Sequence, residues 1–212
     1  MAHYDLEEQE QIDSLKTWWN MYGNLVTTVI TALAVVMLGW QGWNWYQNGQ
    51  TAKAAQVFAS LEQGLETGDA QKIKTAAGEL AEKYGRSTYA ALGTMLAAKQ
   101  SFDAGDLKTA RTQLAWVAEN AKGELRDVAR LRLAGIALDE KAYDDALKQL
   151  DAASQPAFEA RFQELKGDIL FAQGKKVEAR TAYQAALNKS ADKQALGREL
   201  LQQKLDSLGD AA

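Results

Sequence analysis

The 212 residues carry 24 basic and 28 acidic side chains, a formal charge of −4, with 47% hydrophobic and 25% charged residues and no cysteine. That composition is globular rather than disordered, and the missing thiols exclude a disulfide framework, a thiolate zinc site and cysteine nucleophiles, while leaving the redox compartment unread. Five acids stand against Lys16 in residues 1–16, whereas residues 53–212 hold 23 basic and 23 acidic side chains; a neutral, well-mixed body has no electrostatic reason to seek a phosphate backbone, so nucleic acid is excluded as a principal partner.

After the acidic tail, 36 consecutive residues between Lys16 and Lys53 carry no charge. Their centre, Leu25 to Gly39, reads LVTTVITALAVVMLG, broken only by three threonines and a glycine. A helical threonine can return its hydroxyl to a preceding carbonyl and so be tolerated in lipid. Trp18 and Trp19 precede the run, and Trp40, Trp43, Trp45 and Tyr46 follow it. The 21 steps from Trp19 to Trp40 cover about 32 Å of helix, against a hydrocarbon core of about 30 Å. The aromatic clusters fit two interfacial belts, and the lipid bilayer becomes the first expected partner. A soluble core helix rarely exceeds about 18 such residues. A cleaved signal peptide fits poorly too. The tail is acidic, and bulky aromatics separate the run from Ala52-Lys53-Ala54, the nearest A-x-A sequence. The expectation is an acidic tail over 1–22 and an uncleaved transmembrane helix over 23–45, with a helical domain over 50–212. Lys16 and Lys53 flank the span singly, so the positive-inside rule leaves its sidedness open.

The remainder is rich in Ala, Leu, Gln, Lys and Glu, with one proline, Pro156. Apolar positions recur at three and four, the helical period. Turn signals recur at Gly68, Gly105, Lys141 and Gly174, spaced by 37, 36 and 33 residues. Ala110, Leu114 and Val117 lie five, nine and twelve residues after the second turn. Ala146, Leu150 and Ala153 share those offsets after the third turn, and Ala179, Tyr183 and Ala186 after the fourth. Seven residues before the turn stand the small residues Ala98, Ala134 and Gly167. This spacing predicts close approach of paired helices at Ala110, Ala146 and Ala179, with Gly167 opposite, and Tyr183 filling the groove toward the next unit. It is tetratricopeptide (TPR) grammar, a helix-turn-helix of about 34 residues that stacks. The early tryptophan of helix A is missing throughout, and Ile73 replaces the alanine in the first unit. The predicted class is all-α: a TPR-like helical-repeat superhelix of about four helical hairpins plus a C-terminal capping helix, preceded by the single transmembrane helix. Asp69 and Asp106 are expected as N-caps, and Ser190 as the start of the capping helix.

The only histidine, His3, lies in the tail, so the repeats have no histidine triad or zinc-histidine site. Carboxylate pairs such as Asp144 with Asp145, or Asp103 with Asp106, are explained by capping at helix starts. No phosphate loop or metal-binding spacing occurs. The expectation is a non-enzyme with no catalytic residue, metal, cofactor or small-molecule substrate. Arg126 and Arg130, four apart on one helix face, would clamp an acidic peptide if that face lined a groove. Pairing with Glu124 and Asp127 on a solvated face is the more ordinary fate.

The order of parts resembles the YfgM family of ancillary Sec-translocon subunits. The resemblance rests on the acidic tail, Gly39-Trp40-Gln41-Gly42-Trp43-Asn44 at the end of the span, YAALGTMLAAKQ at 89–100, ARLRLAGIAL at 129–138 and LKGDILFAQGKKVEAR at 165–180. It implies a single-pass protein of the bacterial inner membrane with its N-terminus cytoplasmic and its repeats periplasmic. The implied partners are the Sec translocon, a membrane-anchored periplasmic prolyl isomerase and unfolded client proteins, in a chaperone or scaffold role for secreted and outer-membrane proteins. The alternatives are an adaptor that sequesters an envelope-stress response regulator, or a scaffold for envelope assembly.

Overall fold

The computed structural model describes residues 4–151, 154–190 and 196–209. The chain divides into two compact units, Met1–Ala52 and Lys53–Ala212. All regular structure among the described residues is helical.

The first unit is a single helical rod, most of α1 (Tyr4–Thr67). The charge-free run contains no proline, so no backbone donor is missing along it. Thr27 and Thr28 donate their hydroxyls to the carbonyls of Gly23 and Asn24, and Thr31 to that of Thr27, at 2.7–2.9 Å. The backbone therefore leaves few polar groups open on a segment whose apolar side chains face outward. No break marks residue 22 or residue 45.

The second unit is a row of helical hairpins. Residues 53–67 of α1 pair with α2 (Ala70–Tyr84), α3 (Thr88–Asp103) with α4 (Leu107–Asn120), α5 (Glu124–Asp139) with α6 (Tyr143–Leu150), and α7 (Glu159–Ala172) with α8 (Lys176–Lys189). Helix α9 (Leu196–Ser207) then packs on α8. This is the expected set of four hairpins and a final helix.

One turn is used four times. Gly68, Gly105, Lys141 and Gly174 have φ of 69°, 80°, 60° and 80°. The next residue in each case donates its N–H five residues back: Asp69 to Gly64, Asp106 to Ser101, Ala142 to Ala137 and Lys175 to Leu170, at 2.8–2.9 Å. This is a Schellman closure, which needs a left-handed residue just past the helix end. Glycine supplies it freely; Lys141 adopts it at a cost. Asp69 and Asp106 cap the following helices by accepting from Lys72 N and Thr109 N, both at 3.0 Å.

Ser190 ends α8, its N–H bonded to the Ala186 carbonyl; whether it also opens the capping helix falls on residues 191–195, outside the described residues, and α9 is described from Leu196. One expectation is corrected here. Asp103 closes α3 and pairs with Lys99, one turn back, so it caps no helix start. The third hairpin is also irregular. Helix α6 has 8 residues where α2, α4 and α8 have 14 or 15, and Ala153 lies outside the described residues.

The core is a succession of small clusters, as expected where each repeat leans only on its neighbours. Leu61, Ile73 and Leu80 anchor the first; Leu114, Val117 and Ala129 the second; Ala146, Phe162 and Ile169 the next; Ala182, Leu201 and Leu205 the last. Trp116 packs against both of the first two.

Candidate interaction site

In the first unit, Trp18 and Trp19 stand at one end of the apolar run, and Trp40, Trp43, Trp45 and Tyr46 at the other. All six rings are exposed, as are Leu25, Val29, Leu33 and Val36 between them. Trp18 lies 5.9 Å from Tyr22 and 6.3 Å from Trp19, ring centre to ring centre. Among the described residues this is the one helix long and apolar enough to cross a membrane, and 6% of its most apolar window is buried. A soluble core helix would be mostly covered.

In the second unit, Ala110, Ala146 and Ala179 are fully buried. Gly167 faces Tyr183 so closely that an added Cβ would lie 2.4 Å from Cε1 of the ring. The tyrosine therefore packs inside its own hairpin as well as under α9, rather than only toward the next element. Two close approaches were not legible in the repeat spacing. A Cβ on Gly64 would meet the Ile73 side chain at 3.0 Å, so a glycine on α1, across the hairpin from the bulky residue of α2, makes room for it. Gly93 accepts Leu80, 2.5 Å from its notional Cβ.

A polar cluster holds the final helix. Lys204 on α9 donates to Glu164 at 2.9 Å and to both oxygens of Asp168 at 2.7 and 2.9 Å. The Tyr183 hydroxyl donates to Asp168 at 2.8 Å, and Arg161 to Glu164 at 2.6 Å. Burial alone would lower the Lys204 pKa, but Asp168 and Glu164 outweigh it and raise it. Burial would likewise raise Glu164, yet Lys204 and Arg161 hold it below the ordinary value. Burial, followed by the adjacent Asp168, pushes the Tyr183 phenol far up, keeping it a neutral donor. Leu201, Leu205 and Leu208 are buried around this cluster, so α9 is held by an apolar strip with ion pairs at its centre.

The arginine face is more ordered than charge pairing alone predicts. Asp127 is fully buried. It accepts Arg126 Nε at 3.2 Å and the Gln155 N–H at 2.8 Å, tying the segment before Pro156 to α5. Arg126 is thus occupied as a structural partner. Arg130 is half-buried and makes no hydrogen bond or ion pair among the described residues. Helices α3, α5 and α7 touch in series, so Arg126 and Arg130 belong to the middle member of the row of first helices. A separate open groove of about 500 Å³ lies between α1 and α2, lined by Gln56, Val57, Ser60, Asp69, Thr75 and Glu79. No cluster of acidic and histidine side chains fit for a metal ion occurs among the described residues.

The family model of the tetratricopeptide repeat-like domain matches residues 16–210. A protein of Neisseria gonorrhoeae named "Ancillary SecYEG translocon subunit" is 36% identical over 208 residues, covering 96% of this chain and 98% of its own. Proteins of the same name from Escherichia coli and Haemophilus influenzae are 29% and 26% identical, covering 95% and 97% of this chain and 96% and 99% of theirs. An exposed apolar helix followed by stacked TPR-like hairpins, matched end to end, places the chain in the YfgM family of ancillary SecYEG translocon subunits.

Proposed function

We propose that the protein is a non-enzymatic interaction module on the bacterial inner membrane. It crosses once through residues 23–45, keeps residues 1–22 in the cytoplasm and presents residues 50–212 in the periplasm. There it associates with the Sec translocon as a chaperone or scaffold for emerging secreted and outer-membrane proteins, alongside a membrane-anchored periplasmic prolyl isomerase. The observation that carries this reading is the joining, in one chain, of an outward-facing apolar helix with aromatic ends to a repeat domain matched over nearly full length by ancillary translocon subunits. The TPR-like domain belongs to a non-catalytic kind of family, and stacked helices offer protein-binding surface rather than a reaction centre.

Purification of the full chain from membranes in mild detergent tests the proposal. Recovery of translocon subunits is the expected result. Recovery of a response regulator in their place favours the alternative of a regulatory adaptor, and recovery of envelope-assembly proteins favours an assembly scaffold.

A further inference from the structure

Helix α9 fills a seat made by the fourth hairpin. Leu201, Leu205 and Leu208, at steps of four and three, are buried with Leu170, Ala182, Tyr183 and Ala186, while Glu199, Leu200, Gln203 and Asp206 on its other side are exposed. Polar contacts fix the register. Lys204 is held by Glu164 and Asp168, with its Nζ 5.7 Å from the Tyr183 ring centre, and Arg198 donates to the Leu187 carbonyl at 2.8 Å. The seat therefore reads an amphipathic helix: leucines one turn apart for the apolar floor, a lysine for the two carboxylates, and an arginine for the open carbonyls where α8 ends.

The seat outlasts its occupant. Without Lys204, Asp168 keeps the Tyr183 hydroxyl and Glu164 keeps Arg161, so both carboxylates retain a partner on their own hairpin. Ala179 and the close approach of Gly167 to Tyr183 belong to α7 and α8 themselves, and Phe162 and Ile169 join α7 to the core of the third hairpin. Helix α9 has less to hold it. Its 12 residues make a helix that is marginal in water by itself, and Gly197, with nothing near its notional Cβ, weakens it further. An element at the end of such a row opens locally, below the free energy of global unfolding.

We propose that α9 is a displaceable strap, occupying in cis a seat that receives in trans an amphipathic helix of a partner protein, with leucines at the same spacing and a lysine between them. One helix replaces the other, so the apolar floor stays covered when no partner is present. The seat lies within the second unit and does not depend on which side of the membrane that unit occupies.

The probe is a fluorescein-labelled peptide the length of residues 196–209. It carries arginine, leucine and lysine at the spacing of Arg198, Leu201, Lys204, Leu205 and Leu208, and only alanine and glutamine elsewhere. It is titrated in detergent into the full-length chain, a chain ending at Ser190, and full-length Leu205→Asp, which frees α9 without removing it. Binding is expected to be about tenfold tighter to the last two than to the first, because a helix supplied by the same chain competes at an effective concentration of about 1 mM. It should be lost when glutamate replaces the peptide's lysine. On the full-length chain, saturating peptide should speed amide exchange in α9 and leave α7 and α8 slow. Equal affinity for all three chains, indifference to the glutamate, or unchanged α9 exchange would overturn the strap and leave α9 a fixed cap. Fast exchange of α7 and α8 in both opened chains would overturn it too, since no seat then exists without α9. A full-length dimer that the peptide dissociates would assign the seat to the α9 of a second copy and overturn the partner.

Discussion

At the scale of single residues, the domain depends on a few places where only a small side chain fits. Glycine inside a helix normally costs about 0.5–1 kcal/mol relative to alanine. Gly135, in α5 with open space at its notional Cβ, should follow that rule, and Gly135→Ala should stabilise by about that amount. Gly167 should reverse it. Its Cβ would press on a ring that the Asp168 hydrogen bond and α9 prevent from moving away, so Gly167→Ala should destabilise by about 1–3 kcal/mol. Urea unfolding of the repeat domain distinguishes the two, and equal midpoints would sink the packing argument. By the same measurement, Ala179→Leu should cost about 1–3 kcal/mol by overpacking a fully buried site. Lys148→Leu, at an exposed position, should stay within about 0.5 kcal/mol.

At the scale of elements, the repeated turn makes Lys141 the exception. Its φ of 60° costs a residue with a Cβ about 1–2 kcal/mol that glycine avoids. Glycine adds unfolded-state entropy in return, so Lys141→Gly should gain about 0.5–1 kcal/mol in thermal or urea unfolding. A loss would mean that the lysine side chain contributes something the geometry does not display. Helix α9 calls for a pH argument. The folded pKa of Lys204 is raised above its ordinary 10.5, so its stabilisation is complete below that pH and is lost as pH rises through the folded value. The folded pKa of Glu164 is lowered from 4.5, so its stabilisation is present above that pH and lost as pH falls through the folded value. Stability should therefore be flat between about pH 5 and 10 and fall outside. Lys204→Met leaves Asp168 without a cation and Glu164 with Arg161 alone. It should cost about 1–3 kcal/mol at neutral pH, remove the part of the alkaline limb that Lys204 contributes while leaving that of the Tyr183 phenol, and speed amide exchange in α9. Unchanged α9 exchange would mean that the leucine strip alone holds the helix.

At the scale of the whole molecule, the prediction is topological. Protease added to spheroplasts should digest residues 50–212 and leave a fragment holding the tail and the span; digestion only after lysis would place the repeats in the cytoplasm. Much of the architecture was readable from residues alone, for physical reasons. An uncharged run of 36 residues has few stable homes other than a bilayer. Left-handed turn residues at a period near 34, with alanine at a fixed offset, specify stacked hairpins, because small residues and reversals must recur wherever identical packing recurs. The two aspartate N-caps were legible because capping is local, reaching three residues along the chain. Tertiary structure decided what depends on partners distant in sequence. That Asp127 is buried follows from Gln155, 28 residues away, and the fate of Lys204 from Glu164 and Asp168, 40 and 36 residues away. Nor does repeat spacing reveal Gly64 yielding to Ile73 or Gly93 to Leu80, since they break the period to accommodate particular side chains. The sequence by itself determined the helical class, the long apolar N-terminal helix and the hairpin register, which follow from composition and period. Only the folded chain decided which charges are buried and which glycines have no substitute, because both depend on what packs opposite.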